Sequence, residues 1–198
     1  CRPVIPEPIP DVLAIAADVA LRLEAASIPY VIGGSLASSV HGEPRATMDV
    51  DLVADLPFEA IGRVVDALRP DYYVDEGAAR GAVRAGGSFN AVHMRSGVKV
   101  DFFVAGSDPF ERERLRTRIA IPVQADPPRN LWFDTAEHTL LRKLEWYRRG
   151  GEVSDRQWRD ILAIVALQGA NLDRAELTRW AATLGVTDLL ERSLGGAS

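Results

Sequence analysis

The sequence predicts an α+β fold, with an α/β N-terminal half followed by a helical half. In the first part of the chain, short apolar runs and one alternating segment are typical of strands and are separated by helical stretches. In the second part, apolar residues recur at helical spacing after a cap at Thr135 and a capping box at Ser154 and Gln157. We therefore predict two domains, at residues 1–133 and 134–198.

Each predicted element follows from local spacing. The N-terminal half is expected to contain helices over 11–26, 35–40 and 57–68, strands over 30–32, 48–54 and 72–74, a hairpin of 89–94 with 98–104, and strands over 119–123 and 130–133. The stretch 77–87 is rich in Gly, Ala and Arg and predicts a loop or weak helix. The helical half is expected to contain helices over 135–147, 154–168, 173–184 and 186–194.

Composition limits the classes of protein to consider. With 198 residues and 47% hydrophobic content, the chain can bury a core, and no apolar run approaches the roughly 20 residues needed to cross a bilayer. Cys1 is the sole cysteine, so a reducing cytoplasm is the expected compartment. The net charge of −5 argues against coating nucleic acid by charge alone, but residues 142–159 carry six basic and three acidic side chains.

Three aspartates on predicted strands form a candidate metal site. Asp49 and Asp51 are two residues apart, so their side chains leave the same face of a strand and can converge on one cation. Asp101 lies on another predicted strand, whose apolar residues alternate with it. Carboxylate oxygens are the ligands that Mg²⁺ and Mn²⁺ prefer. Three strand-borne carboxylates are what a two-metal phosphoryl-transfer site requires.

A glycine turn upstream is a candidate phosphate site. Gly33, Gly34 and Ser35 join a predicted strand to a predicted helix, where glycines allow backbone amides to approach phosphate oxygens and the helix start favours negative charge. Ser35 adds a hydroxyl donor. A glycine turn and a pair of aspartates are each common in unrelated proteins. It is their order along the chain that indicates a site for phosphate and metal.

The chain resembles a known superfamily. It runs Gly-Gly-Ser from Gly33, His41-Gly42, Arg45, Thr47 and then Asp-Val-Asp-Leu from Asp49. This order is similar to that of polymerase-β-type nucleotidyltransferases, and together with the later LLRKLEWYRRGG and SDRQWRDI segments it looks like the AbiEii-type and MenT-type toxins of toxin–antitoxin systems. Thirteen residues separate Ser35 from Asp49, more than in the shortest form of the motif, so the path over 43–47 is not predicted.

The resemblance implies a mixed sheet flanked by helices and assigns roles to residues. Ser35 would contact the terminal phosphates of a nucleoside triphosphate, Asp49 and Asp51 would hold the metals, and Asp101 would help to activate an acceptor hydroxyl. Lys143 on a later helix would approach the triphosphate. Asp160 matches a downstream acidic residue. The implied reaction is attack by the hydroxyl on the α-phosphate, with release of pyrophosphate.

Several of these residues have plainer alternatives. Lys143 can extend into water as many helix lysines do, Asp160 can pair with Arg156 one turn away, and Arg45 can either bind phosphate or anchor its loop. The three histidines favour structural or loop roles because none lies at ligand spacing. The four tryptophans, which could stack on bases, favour core packing because three lie beside apolar neighbours on predicted helices.

Three functions remain open at this stage. The toxin resemblance and the basic segment favour an RNA acceptor, the end of a tRNA, with a possible antitoxin partner. The acidic net charge suits instead a cationic small molecule, as with aminoglycoside or lincosamide nucleotidyltransferases. A non-catalytic nucleotide-binding regulator is the third alternative, and the retained carboxylates weigh against it.

Overall fold

A computed structural model describes residues 11–125 and 128–195. They form a mixed seven-stranded sheet with flanking helices, followed by further helices, which confirms the predicted fold class. The strands are β1 Tyr30–Ile32, β2 Asp49–Ala54, β3 Tyr72–Val74, β4 Ser88–His93, β5 Lys99–Val104, β6 Ile119–Ala125 and β7 Pro128–Phe133. The helices are α1 Val12–Ala25, α2 Gly34–His41, α3 Ile61–Leu68, α4 Glu76–Ala85, α5 Pro109–Thr117, α6 Ala136–Arg149, α7 Asp155–Gln168, α8 Arg174–Leu184 and α9 Thr187–Gly195.

The sheet has the strand order β3-β4-β5-β2-β1-β7-β6. The pairs β2 with β5 and β1 with β7 are parallel, and the other neighbours are antiparallel. The predicted hairpin of β4 and β5 is confirmed. In the parallel pair, Asp51 stands beside Asp101 and Asp49 beside Lys99. Two separated stretches of sequence therefore present their polar side chains on one face of the sheet.

The described residues form two large apolar cores and a small cluster of Val31, Val53, Ala105 and Leu115. One core packs α1, α3 and α4 against the sheet and includes Leu23, Val65, Leu68, Val100 and Phe102. The other is formed by the helices α6, α7, α8 and α9, together with Phe110 of α5. Because α5 belongs to the earlier part of the chain, this contact anchors the two parts to each other. The domain boundary between residues 133 and 134 stays a prediction.

Two helices differ from the sequence prediction. The stretch 77–87 is the well-formed helix α4, because Asp75 accepts a hydrogen bond from the Ala78 amide and Gly86 ends the helix at φ 62°. Helix α5 was not predicted at all. It is capped by Asp108, with Pro109 at its first position. Five of its nine residues are charged, so the sequence shows no clear apolar periodicity there, although Phe110 and Leu115 each enter an apolar cluster.

Other predicted features stand as follows. Thr135 caps α6, and Ser154 caps α7 by accepting from the Gln157 amide. The reciprocal half of the capping box is not formed, since Oε1 of Gln157 is buried without a hydrogen-bond partner. Within 11–125 and 128–195 no helix is long and apolar enough to cross a membrane. The expectation about Cys1 concerns a residue outside the described ranges.

A buried ion pair connects α5 to the end of β7. Arg114 donates two hydrogen bonds to Asp134, at 3.0 and 2.6 Å, and a third to Glu111 at 2.6 Å. The side chains of Arg114 and Asp134 are only 4% and 1% exposed. Burial alone would lower the pKa of Arg114, but the two carboxylates outweigh it and raise that pKa, so the guanidinium stays charged.

Replacing Arg114 should strongly destabilise the fold. In Arg114→Met the carboxylate of Asp134 would lose its partner inside the protein, and we expect the free energy of unfolding to fall by about 3–5 kcal/mol in urea denaturation. The matched control is Arg116→Met on the same helix, whose side chain is 70% exposed and pairs with Glu113. An Arg114 variant as stable as this control would contradict the assigned role of the pair.

Candidate active site

The turn between β1 and α2 is built around Asp51. The amide of Gly33 donates to the carbonyl oxygen of Asp51 at 2.9 Å. Gly34 has φ +57°, and a Cβ at this position would lie 1.9 Å from Oδ2 of Asp51. The carboxylate therefore touches the main chain of the turn, and only glycine fits there. The candidate phosphate site and the candidate metal site are in direct contact.

The other side of the turn lies against the buried ion pair. A Cβ on Gly33 would be 2.7 Å from Nη2 of Arg114 and 2.9 Å from Oδ2 of Asp134. Nε2 of His41, at the end of α2, bonds to the carbonyl oxygen of Asp134 at 2.7 Å, which gives this buried histidine a structural role as expected. Sequence reasoning did not identify the pair, although the Asp108-Pro109 helix start could have revealed the helix that carries Arg114.

The structure brings the three predicted carboxylates to one face of the sheet. Burial raises the pKa of Asp51, and the nearby charges of Asp101 and Asp49 raise it further. Nζ of Lys99 lies 2.8 Å from Oδ2 of Asp101, and this hydrogen bond raises the pKa of Lys99. The local repulsion between carboxylates is thus partly balanced by a lysine that sequence reasoning did not select.

The donor chemistry of this face fits a divalent cation. As the side chains stand, no group of three His, Cys, Asp or Glu side chains among the described residues converges on a common point for a metal. At this site the carboxylate of Asp101 is engaged by Lys99. Asp49 and Asp51 would hold Mg²⁺ or Mn²⁺, and Asp101 would join them once released from Lys99. A cation there would offset the repulsion that raises the pKa of Asp51.

A polar network joins the turn to the helical half. Nη2 of Arg45 donates to Oγ of Ser35 at 2.6 Å and to Oδ2 of Asp160 at 3.0 Å. Lys143 donates to the same carboxylate oxygen at 2.8 Å. The segment over 43–47, whose path was not predicted, carries Arg45 into this position. Ser35 bonds to Arg45, and Arg45 and Lys143 share the carboxylate of Asp160. The three residues, which were predicted separately, therefore belong to one network.

Asp160 holds two cations, and the alternative pairing with Arg156 does not occur among its hydrogen bonds and ion pairs. Burial acts to raise the pKa of Asp160, but the bonds from Lys143 and Arg45 outweigh it and hold that pKa below its usual value. Burial lowers the pKa of Lys143, and Asp160 opposes this change only in part. Lys143 is not extended into water, since its side chain is only 12% exposed.

These elements line a cleft between the sheet and α6. Its volume is about 1100 Å³, and both Gly34 with Ser35 and Asp51 lie on its wall. The basic side chains on its wall are Arg45, Arg114, Arg142, Lys143, Arg149 and Arg156, and the acidic ones are Asp51, Asp108, Glu111 and Asp134. Most of these cations are already paired, Arg114 with Asp134, Arg45 and Lys143 with Asp160, and Arg142 and Arg149 with Glu145.

The tryptophans do not all pack in the cores. Trp180 is buried, and Trp158 and Trp132 are partly buried against the two cores. Trp146 is 43% exposed and lies on the wall of the cleft, so its predicted core packing is wrong. The physical reason is its position on α6, where it shares a face with Lys143 and Arg149 rather than with the buried Leu140 and Leu144.

Comparison with known proteins places the fold. No family model matches the chain, and no curated protein matches it significantly. An antigenic nucleotidyltransferase-like protein from Paracoccidioides brasiliensis is 17% identical, with a TM-score of 0.52 over 91% of this chain and 90% of that one. The antibiotic-resistance factor ANT(2'')-Ia is 16% identical, with a TM-score of 0.56 over 86% and 94%. The lincosamide antibiotic adenylyltransferase LnuA is 15% identical, with a TM-score of 0.50 over 80% and 99%. The chain therefore has the fold of nucleotidyltransferases.

Substituting Gly34 should damage the site beyond its cost to the fold. Gly34→Ala places a methyl group on the Asp51 carboxylate, so we expect it to weaken any binding of nucleoside triphosphates that calorimetry detects for the wild-type protein. The control is Gly185→Ala, where φ is also positive, at +67°, but nothing lies within 4 Å of the added Cβ. Gly185→Ala should lose about 1–2 kcal/mol of stability from the left-handed backbone, and Gly34→Ala should lose more because its Cβ also collides with Asp51. Circular dichroism checks that each variant is folded. Normal triphosphate binding by a folded Gly34 variant would show that the turn does not hold phosphate.

Proposed function

We propose that this protein is a metal-dependent nucleotidyltransferase that moves a nucleoside monophosphate from a nucleoside triphosphate to a hydroxyl of RNA, at the end of a tRNA. The observation that carries the proposal is the contact between the glycine turn and Asp51, where a Cβ on Gly34 would lie 1.9 Å from the carboxylate. A triphosphate on the turn would have its phosphates beside the residues that suit a metal. The shared fold with nucleotidyltransferases supports the same class of reaction.

The triphosphate has three donors besides the backbone of the turn. These are the hydroxyl of Ser35, the guanidinium of Arg45 and the ammonium of Lys143. Nη1 of Arg45 is buried with no hydrogen-bond partner among the described residues. A phosphate oxygen would satisfy this donor, which is otherwise costly to bury. Of the two alternatives for Arg45, anchoring its loop and binding phosphate, its contacts are compatible with both at once.

The reaction is an in-line displacement at the α-phosphate. The acceptor oxygen forms a bond to this phosphorus as the bond to the bridging oxygen of the β-phosphate breaks, and pyrophosphate leaves. Asp101 accepts the proton of the acceptor hydroxyl. When bound by Asp49 and Asp51, Mg²⁺ or Mn²⁺ would supply neutralisation of phosphate charge and a lower pKa of the hydroxyl. Ser35, Arg45 and Lys143 hold the triphosphate in line and keep its charge neutralised.

The charge of the cleft favours an anionic acceptor. Within the cleft, Arg149 and Arg156 are exposed to solvent. Their guanidinium groups attract a polyanion such as RNA, whereas a cationic antibiotic gains nothing from them. The resemblance to AbiEii-type and MenT-type toxins supports growth arrest as the biological outcome, with an antitoxin as the natural partner.

A small-molecule acceptor is the second candidate. One observation favours it, namely the fold shared with ANT(2'')-Ia, described as an antibiotic-resistance factor, and with the lincosamide adenylyltransferase LnuA. Identities of 16% and 15% extend this likeness to the fold alone. We rank it below RNA because of the exposed Arg149 and Arg156 in the cleft.

A transfer assay separates the two acceptors. The purified protein is incubated with Mg²⁺ and each labelled nucleoside triphosphate in turn, together with total tRNA or with a panel of aminoglycosides and lincosamides. We expect label in the RNA, none in the drugs, and loss of transfer when EDTA removes the metal. Label in a drug but not in RNA would establish the second candidate instead. No label in any acceptor with any nucleotide would contradict transferase activity.

Removing the carboxylates should abolish transfer while the fold persists. Asp49→Asn and Asp51→Asn each keep the shape of the side chain but remove the charge that a metal requires, so we expect initial rates to fall by about 100-fold or more. The control is Asp66→Asn on α3, whose carboxylate is exposed and pairs with Arg69. Circular dichroism checks that each variant is folded. Unchanged transfer in both site variants would rule out their role as metal ligands.

A further inference from the structure

Trp146 stands out as an exposed tryptophan inside the cleft. The large apolar side chains that are exposed among residues 11–125 and 128–195 are Leu13, Leu21, Val40, Met48, Tyr73, Met94, Trp146, Val153 and Leu167. Of these, Trp146 is the one that lines the cleft. It belongs to neither apolar core. Trp146 is 43% exposed, so part of its large ring is available to a bound molecule.

The position of Trp146 links the candidate phosphate site to the catalytic strand. It lies three residues after Lys143 on α6, so the two side chains are neighbours on one helix face. Its ring meets Phe103 edge to face, with centroids 6.3 Å apart. Phe103 follows Asp101 by two residues on β5 and shares its face of the sheet. The indole thus lies near both the triphosphate donors and the candidate base.

The planar guanidinium group of Arg149 lies over one face of the indole ring. Cζ of Arg149 lies over this ring, 5.3 Å from its centroid. The Arg149 side chain is 56% exposed and Trp146 is 43% exposed, so both groups can be reached from the cleft. Aromatic rings and arginine planes together are what proteins use to stack unpaired bases, because every base has a π face. A cationic sugar lacks such a face and would be repelled by Arg149.

We propose that Trp146, together with Arg149, forms a stacking site for a nucleobase. This inference rests on the proposed function and deepens it by naming what the cleft recognises beyond phosphate. The base can come from the nucleoside triphosphate or from the unpaired end of the RNA acceptor. Both sources present the same chemistry to the indole, and they differ in which probe loses affinity when the ring is removed.

The test measures binding rather than turnover, with paired probes of which one carries a base and the other does not. One pair is a non-transferable ATP analogue, α,β-methylene ATP, and inorganic tripolyphosphate. The other is a short single-stranded RNA and the same RNA with an abasic ribose at its 3′ end. Each is titrated with Mg²⁺ into the wild-type protein, Trp146→Leu and Trp146→Phe. The matched control is Trp132→Leu on β7, because Trp132 is partly buried and does not line the cleft.

We expect Trp146→Leu to weaken binding of one base-containing probe by roughly 5- to 150-fold, the usual effect of losing one stacked base. Its base-free counterpart should bind as before, Trp146→Phe should keep most of the affinity, and Trp132→Leu should bind as wild type. Loss with the ATP analogue identifies the base of the triphosphate, and loss with the RNA identifies the acceptor base.

Two outcomes overturn the inference. One is a Trp146→Leu protein that binds both base-containing probes as wild type does. The other is equal loss with the base-containing and base-free members of each pair, since this would indicate a structural role. Failure of the proposed function looks different: the protein would still discriminate the base in binding yet transfer no nucleotide. Transfer at the wild-type rate with no base discrimination would contradict the stacking site alone.

Discussion

The site depends first on the buried ion pair of Arg114 and Asp134. This pair lies under Gly33, its carboxylate residue follows β7, and its arginine comes from α5, whose Phe110 packs with the later helices. His41 closes the arrangement from the end of α2. One charged contact thus connects the glycine turn to the start of the helical half. Such a pair adds little net stability, because burying both charges is costly, but removing one partner leaves the other charge buried without compensation.

The second constraint is the parallel pairing of β2 with β5. Their register sets Asp51 opposite Asp101 and Asp49 opposite Lys99, so three carboxylates and one ammonium group share this part of the sheet face. Lys99 then acts as an internal counterion for Asp101. The carboxylates can therefore lie close together in the free protein without the full repulsion that their spacing would otherwise cause.

How much the sequence could predict depended on whether a signal was local. The glycine turn and the Asp49 to Asp51 spacing are local, and both were located correctly on their elements. The strand carrying Asp101 was also predicted, whereas α5 was hidden by its charges, and the Arg114 contact with Asp134 joins residues twenty positions apart. Asp160 was ambiguous because its partner on the same helix and its partners on other segments are equally reasonable in sequence. Trp146 was misassigned, because apolar neighbours along a helix do not reveal which face meets the cleft.

The network of Ser35, Arg45, Asp160 and Lys143 has a thermodynamic consequence. Its long cationic side chains are already fixed by Asp160, at 3.0 Å for Arg45 and 2.8 Å for Lys143. Immobilising a flexible side chain on binding typically costs about 0.5–1.5 kcal/mol. Here most of that conformational entropy has been lost during folding. A ligand that meets these two cations therefore binds a preorganised receptor, and the enthalpy of the new contacts is opposed by little further ordering of the protein.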